Sequence, residues 1–494
     1  MHAAQHHRDL YTVEQVRALD RRAIDDLGIT GFELMSRAAI AAFSGLCRHW
    51  PEARRIVVFC GPGNNGGDGY LLASLAHGAG MAVEVIELSD AALGDAALAR
   101  DTWQRSEGVT RHWQQDASLP LADIYVDALY GTGLNRAPEA PVANLIQRIN
   151  ASAVPVLALD VPSGLNADTG DCPGVAVRAE LTVSFIAAKR GLYTGQAATK
   201  VGHVQIDTLG LPDILWQGMP TDATLLEAMH LPPRARDAHK GDCGHVLAIG
   251  GDRGTAGAIR LCGEAALRSG AGLVSIATRN ENLFALNSAR PELMAHGVHG
   301  PQELQPLLDR ADVLAVGPGL GQGAWGHALW LTALDSGKPM VLDADGLNLL
   351  ARETHRFDGQ VVLTPHPGEA ARLLGTTIAA VQADRFASAR ALAQRYGAVA
   401  VLKGSGSLIA DPDGRLDVCI WGNPGMAGGG MGDLLTGVIA ALLAQGCSAW
   451  DAARMGVGLH ARAGDLAARH GERGLLASDL LEPLRALGNG LAHD

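Results

Sequence analysis

The residues with the clearest chemical potential lie between Asn423 and Gly446, NPGMAGGGMGDLLTGVIAALLAQG. Glycine stands at 425, 428, 429, 430 and 432, so the backbone there is nearly bare. From Asp433 onward, Leu434, Leu435, Val438, Ile439, Leu442 and Leu443 recur at helical spacing. A glycine loop feeding a helix start offers unpaired N–H groups and the positive end of the helix dipole, a setting suited to phosphate. Asp433 stands at that entrance. It reads either as a helix N-terminal carboxylate or as a base beside the phosphate, taking the proton of a hydroxyl about to be phosphorylated.

A second cluster lies in the first half of the chain. The apolar run Ile56–Cys60 reads as a buried parallel strand and leads into GPGNNGGDGYLLASLA. Strand, glycine loop, helix is the order that places a phosphate or nucleotide at the carboxyl end of a sheet. The pattern is neither G-x-G-x-x-G nor a Walker loop. An Asn-Gly turn with no ligand explains part of it, but Asn64, Asn65 and Asp68 exceed what a turn requires. Two further acids, Asp127 and Asp160, end the runs Ile124–Ala128 and Val156–Asp160, each facing a glycine-containing loop. Lys189 follows in AAKRGL and reads as a surface or phosphate-neutralising lysine, with acid/base work the weaker alternative.

These residues need α/β scaffolds to position them. With 494 residues, the prior is two to four domains, and 47% hydrophobic content suits packed cores. Residues 12–48 read as two helices, the first capped by Thr12 with Glu14 and Gln15 and ended by Gly28 or Gly31. Strands at Val83–Leu88 and Thr182–Phe185 continue the first half. After Gly210 the periodic patterns lapse, which places a domain boundary near 225. Strands at His245–Gly250, Gly272–Ala277, Ala311–Val316, Val341–Asp345, Val361–Thr364 and Ala398–Lys403 then alternate with helices, predicting one large α/β domain. No motif recurs at a fixed period. A net charge of −12 argues against a general nucleic-acid binder. Seven cysteines without a C-x-x-C pair read as reduced thiols of a cytoplasmic protein. The N-terminus lacks the apolar core of a signal peptide, and no apolar run reaches membrane-spanning length.

The NNGGD run, the GTGLNR loop and the DVPSGL segment resemble the N-terminal domain of the NAD(P)H-hydrate repair enzymes, which epimerises the damaged cofactor. The resemblance implies a Rossmann-like doubly wound domain over residues 1–225. It implies a potassium ion at Asn65, Asp127 and Ser163, oxygen ligands that suit a hard cation. It places the hydrated nicotinamide nucleotide against Asn64, Asn65, Gly66, Gly67 and Asp68, against Gly131, Thr132, Gly133, Leu134, Asn135, Arg136 and Ala137, and against Asp160. Asp160 is the candidate acid/base.

In the second half, GDCGHVLAIGG, GPGLG, DADGLN, TPHPGEAARLLG, KGSGS and NPGMAGGGMGDLLTG follow in the order of the dehydratase domain of the same family, a ribokinase-like α/β fold, here over residues 226–494. By this resemblance Ala258, Gly321, His366 and Asp433 line the hydrated nucleotide, while Lys403, Gly404, Ser405, Gly406, Ser407 and Gly432 hold the adenine nucleotide. Many relatives end the KGSGS loop in Thr; Ser407 keeps the hydroxyl. His366 between two prolines is a ligand contact or a turn residue, and His239 with Lys240 a phosphate contact or a solvated turn. The implied activity is epimerisation of the R and S hydrates, with ADP-dependent dehydration of the S hydrate to NAD(P)H, AMP and phosphate. ADP is then a co-substrate and Mg²⁺ accompanies the transfer. Small nucleotides are the expected partners, with neither nucleic acid nor membrane, in a homo-oligomer. The competing reading is an ATP-dependent vitamin-precursor or sugar kinase whose first domain only binds.

Overall fold

The computed structural model describes residues 8–89, 91–115, 117–133 and 136–491. The chain divides into two compact units, one ending at Thr224 and one beginning at Leu225.

The first unit is built on a wholly parallel sheet. From edge to edge its strands are Val109–His112, Ala82–Glu87, Arg55–Cys60, Ile124–Ala128, Val156–Leu159, Leu181–Phe185 and His203–Asp207. Chain order runs outward in one direction from Arg55–Cys60 and in the other from Ile124–Ala128, so the topology reverses between these two neighbours. That junction is where a doubly wound sheet binds ligands, outside the carboxyl ends of its strands. The central strands are buried on both faces because helices cover both. Gly31–His49 and Asn64–Gly78 pack on one face around Leu46, Leu72, Val58 and Val126, and Ala140–Ala151 on the other around Phe59, Tyr125 and Ile146. The helix Val13–Asp25 opens on a complete capping box, Thr12 accepting from the Gln15 N–H while the Gln15 side chain accepts from Thr12. It ends at Asp25, before either predicted glycine, with Gly28 left-handed just beyond.

The second unit has a larger sheet. Its parallel strands, in spatial order, are Met294–Gly297, Leu273–Thr278, His245–Ile249, Val313–Val316, Met340–Leu342, Val361–Leu363 and Val399–Leu402. Ser407–Ala410 and Leu416–Cys419 then extend the edge antiparallel. Met431–Ala444 lies across the sheet against Ala256–Arg268, the two helices closing so tightly that a Cβ on Gly437 would stand 2.0 Å from the Cys262 carbonyl oxygen. Behind it Ala449–Ala467 completes one continuous core holding Val438, Ile439, Leu442, Val401 and Leu459. Among the described residues no helix is long and apolar enough to cross a membrane.

Candidate functional site

In the second unit the chemistry gathers at the start of the helix Met431–Ala444. Gly430 holds a left-handed backbone (φ 90°) that lets the loop turn into the helix, and Asp433 lies in its first turn. Beside it Lys403 Nζ reaches Asp343 Oδ1 at 2.7 Å, and Thr436 Oγ1 donates to Asp343 Oδ2 at 3.0 Å. Gly432 leaves room for this pair, since a Cβ there would stand 3.1 Å from Lys403 Nζ and 3.2 Å from Asp343 Oδ2. Burial pushes the Asp433 carboxyl up to about 6; Asp343 adds to the rise and Lys403 opposes it. Asp433 has no hydrogen-bond partner among the described residues, whereas the partners of Asp343, Lys403 foremost, hold that buried acid below the ordinary range against the cost of burial. One acid is thus locked as an anion and its neighbour poised near neutrality, the arrangement a general base requires.

The other predicted residues of this unit surround that cluster. Ala258 lies in the first turn of Ala256–Arg268, and Gly321 (φ 73°) donates its N–H to Asp345 Oδ2 at 2.9 Å. His366 Nδ1 caps the helix Pro367–Leu374 by accepting from the Gly368 N–H at 3.0 Å, and the ring is half exposed with Nε2 3.4 Å from Glu369. Lys403, placed by resemblance with the adenine nucleotide, pairs its ammonium with Asp343 at 2.7 Å, and its backbone leads into the loop Gly404–Ser407. The Ser407 hydroxyl closes that loop on itself, donating to the Gly404 carbonyl at 2.9 Å and accepting from its N–H at 3.2 Å. His239 and Lys240 form an exposed 3₁₀ turn, with Asp242 accepting from the His239 N–H.

Three residues of this site escaped sequence reasoning. Asp343 ends a parallel strand as Asp127 and Asp160 do, and the same rule applied to DADGLN finds it. Glu369 is buried and raised to about 7, chiefly by desolvation; its position as third residue of a capping box disguised it. Arg385 is 1% exposed and donates to the carbonyls of Leu402, Lys403 and Gly406, so it fixes the backbone of the Gly404–Ser407 loop from beneath. Nothing local in its sequence marks it.

In the first unit a cavity of about 910 Å³ opens at the topological switch point. Asn64, Asn65 and Asp68 from the glycine loop line it, with Gly131, Thr132, Gly133, Arg136 and Asp160. Leu134 and Asn135 lie outside the described residues. Asp160 follows its strand in a left-handed conformation (φ 63°), a strained setting for a non-glycine residue. Lys189 is not a surface lysine: it is 1% exposed, because its Nζ lies 2.5 Å from Asp160 Oδ1 and also donates to Ser184 Oγ and the Phe185 carbonyl. Among the described residues, every hydrogen bond to the Asp160 carboxylate falls on Oδ1, leaving Oδ2 beside Gly131.

Beneath the cavity floor Asp127 is fully buried, accepting from the Ser163 N–H at 2.7 Å, the Ser163 hydroxyl at 2.6 Å and the Leu129 N–H at 3.2 Å. Burial nevertheless raises it to about 6. Asn65 is buried too, yet neither its amide oxygen nor its amide nitrogen has a hydrogen-bond partner. An orphaned buried amide is costly and calls for a ligand.

Both halves of the chain match known families. Residues 31–191 match the family described as YjeF-related protein N-terminus, and residues 246–485 the family described as NAD(P)H-hydrate dehydratase. The chain is 48% identical to the bifunctional NAD(P)H-hydrate repair enzyme Nnr of Coxiella burnetii, over 97% of this chain and 99% of the relative. It is 47% identical to the enzyme of that name from Escherichia coli K12, over 97% and 94%. Among solved structures, the ADP/ATP-dependent NAD(P)H-hydrate dehydratase of Bacillus subtilis, co-crystallised with ATP and Mg²⁺, is 31% identical with a TM-score of 0.49, covering 53% of this chain and 95% of that one.

Proposed function

The chain belongs to the bifunctional NAD(P)H-hydrate repair enzymes, and from that premise we propose how its own residues divide the work. Residues 1–225 interconvert the R and S hydrates of NADH and NADPH. Residues 226–494 dehydrate the S hydrate at the expense of ADP, releasing AMP and phosphate.

The substrate carries a hydroxyl on the carbon next to the ring nitrogen. Hydroxide leaves poorly; phosphate leaves well. Asp433 takes the hydroxyl proton as the terminal phosphoryl group of ADP moves to that oxygen, and the N–H groups of the glycine loop stabilise the charge that develops. The ring nitrogen then expels phosphate, and loss of a neighbouring ring proton restores the double bond. Gly404–Ser407 and Gly432 hold the adenine nucleotide, while Ala258, Gly321 and His366 orient the hydrate. Mg²⁺ would be held chiefly by the phosphate oxygens of the bound nucleotide and would neutralise their charge. The observation that carries this reading is the carboxyl of Asp433, raised to about 6 at the mouth of the glycine loop beside the Lys403–Asp343 pair.

A potassium ion fits the first unit. The orphaned amide of Asn65, the buried carboxylate of Asp127 and the Ser163 hydroxyl are hard oxygen donors, and a cation there would satisfy Asn65 and offset the burial of Asp127. The ion would supply a fixed positive charge under the ligand. Asp160, held by Lys189, is the base for epimer interconversion.

The test is incubation of the protein with separated R and S hydrates of NADH and ADP. Both epimers should regain the absorbance of the dihydronicotinamide with stoichiometric release of phosphate. A product that retains phosphate would mean a kinase, and recovery from the S hydrate alone would remove the epimerase assignment.

A further inference from the structure

Epimerisation at a carbon bearing both a hydroxyl and the ring nitrogen needs two proton-handling groups. One must give a proton to the departing oxygen and another must take one from the water that replaces it. Asp160, ion-paired to Lys189 at 2.5 Å with its Oδ2 left open beside Gly131, is placed to be the second kind. The cavity offers more: Asp20, from the helix Val13–Asp25, and Asp68, from the glycine-loop helix Asn64–Gly78, line it together with Asp160 and Lys189. Asp68 is 9% exposed, and neither it nor Asp20 accepts a hydrogen bond from any described residue. A carboxyl buried without partners holds its proton. Burial raises Asp68 well above the usual range, Asp160 and then Asp20 raising it further, with Lys189 opposing. Asp20 is raised as well, chiefly by burial, with Lys189, Arg17 and Arg21 opposing. Asp95 and Arg136 complete the charged lining.

Resting on the epimerase reading of this unit, we infer that Asp68 is a second catalytic residue, the proton donor, and that Asp20 is the positioning residue whose charge keeps that proton in place. Asp68 protonates the hydroxyl, the C–O bond breaks as the nitrogen lone pair forms C=N, and water departs. A solvent water then adds to the opposite face of the same carbon. Its oxygen forms the new C–O bond, its proton passes to Asp160, and the C=N pair returns to nitrogen. No electrons enter or leave. The two acids have exchanged protonation states, which is the starting state for the reverse reaction.

The experiment uses the full chain and a single pure epimer of hydrated NADH, with interconversion followed by chromatography and the calorimetric midpoint of the first unit as the control for its folding. Asp68→Asn should lower kcat about 10²–10⁴-fold with KM changed less than threefold, and Asp68→Glu should restore part of it. In the wild type the rate should fall on the alkaline side as Asp68 loses its proton; Asp20→Asn should move that limb to lower pH. A kcat for Asp68→Asn within threefold of wild type, or an alkaline limb unmoved by Asp20→Asn, overturns the assignment. A wild-type protein that does not interconvert the epimers overturns the epimerase reading itself.

Discussion

Replacing Asp433 by Asn should cost activity and add stability, and both follow from one number. The carboxyl stands at about 6 in the folded protein against 3.8 for the ordinary group. Folding therefore favours its protonated form. Above pH 6 the ionised group destabilises the fold; the penalty shrinks as pH falls through 6 and is gone below 3.8. A shift of that size corresponds to at most about 3 kcal/mol, and partial solvent screening reduces it to roughly 1–3 kcal/mol. Asn keeps the shape and lacks the charge, so at pH 8 the helix Met431–Ala444 should gain about that much opening free energy, with little gain at pH 4. Native-state hydrogen exchange of the amides of that helix measures this locally, without assuming that the whole chain unfolds in one step. Dehydration of the S hydrate should meanwhile fall about 10²–10⁴-fold, the usual worth of a positioned base. A variant with a near-normal rate, or one whose helix is no better protected at pH 8, would refute the reasoning.

Arg385 donates to three carbonyls around the Gly404–Ser407 loop, so Arg385→Met should raise KM for ADP at least tenfold while leaving KM for the hydrate within about threefold, measured by initial rates. Potassium should raise the thermal midpoint of the first unit in the wild type and leave Asn65→Leu unaffected, as read by calorimetry in potassium and in choline salts. Gly66→Ala would place a Cβ 1.9 Å from the Gly61 carbonyl oxygen, so the glycine loop must move. The substitution should destabilise the first unit by about 2–4 kcal/mol and abolish epimer interconversion while dehydration of the S hydrate persists.

What could be read in advance depended on how buried each element is. The central strands, Ile56–Cys60, Ile124–Ala128 and Val313–Val316 among them, announce themselves as apolar runs ending in glycine loops because helices cover both faces. Among the strands not legible, Ser407–Ala410 and Leu416–Cys419 are buried but only four residues long; Val109–His112, His203–Asp207 and Met294–Gly297 are a different case. Each is a sheet edge with mostly half-exposed or exposed residues, so none carries an apolar run. The strand-end acids were legible as types but not as geometry. Lys189 meets Asp160 only because the chain turns through left-handed conformations at Asp160 and Ile186, and no local pattern predicts such turns. Asp20 carries no local signal in the sequence, and only the fold brings it to the cavity.

Both sites pair a lysine with one acid and leave a second acid without a hydrogen bond beside them: Lys189–Asp160 at 2.5 Å with Asp68, and Lys403–Asp343 at 2.7 Å with Asp433. A buried ion pair repays its desolvation poorly, so its presence twice in one chain argues for chemistry over stability. In each site the charge of the paired acid raises its neighbour, and the lysine limits that rise. In the second unit the two influences can be separated by sign. Asp343→Asn removes the charge that raises Asp433, so the acid limb of the dehydration rate, centred near pH 6, should move to lower pH. Lys403→Met removes the charge that lowers Asp433, and the limb should move to higher pH. Damage to packing or to nucleotide binding would reduce the rate in both variants but would not displace the limb in opposite directions. If pH–rate profiles at saturating ADP show the two limbs moving together, Asp433 is not the titrating base and the paired-acid arrangement has another purpose.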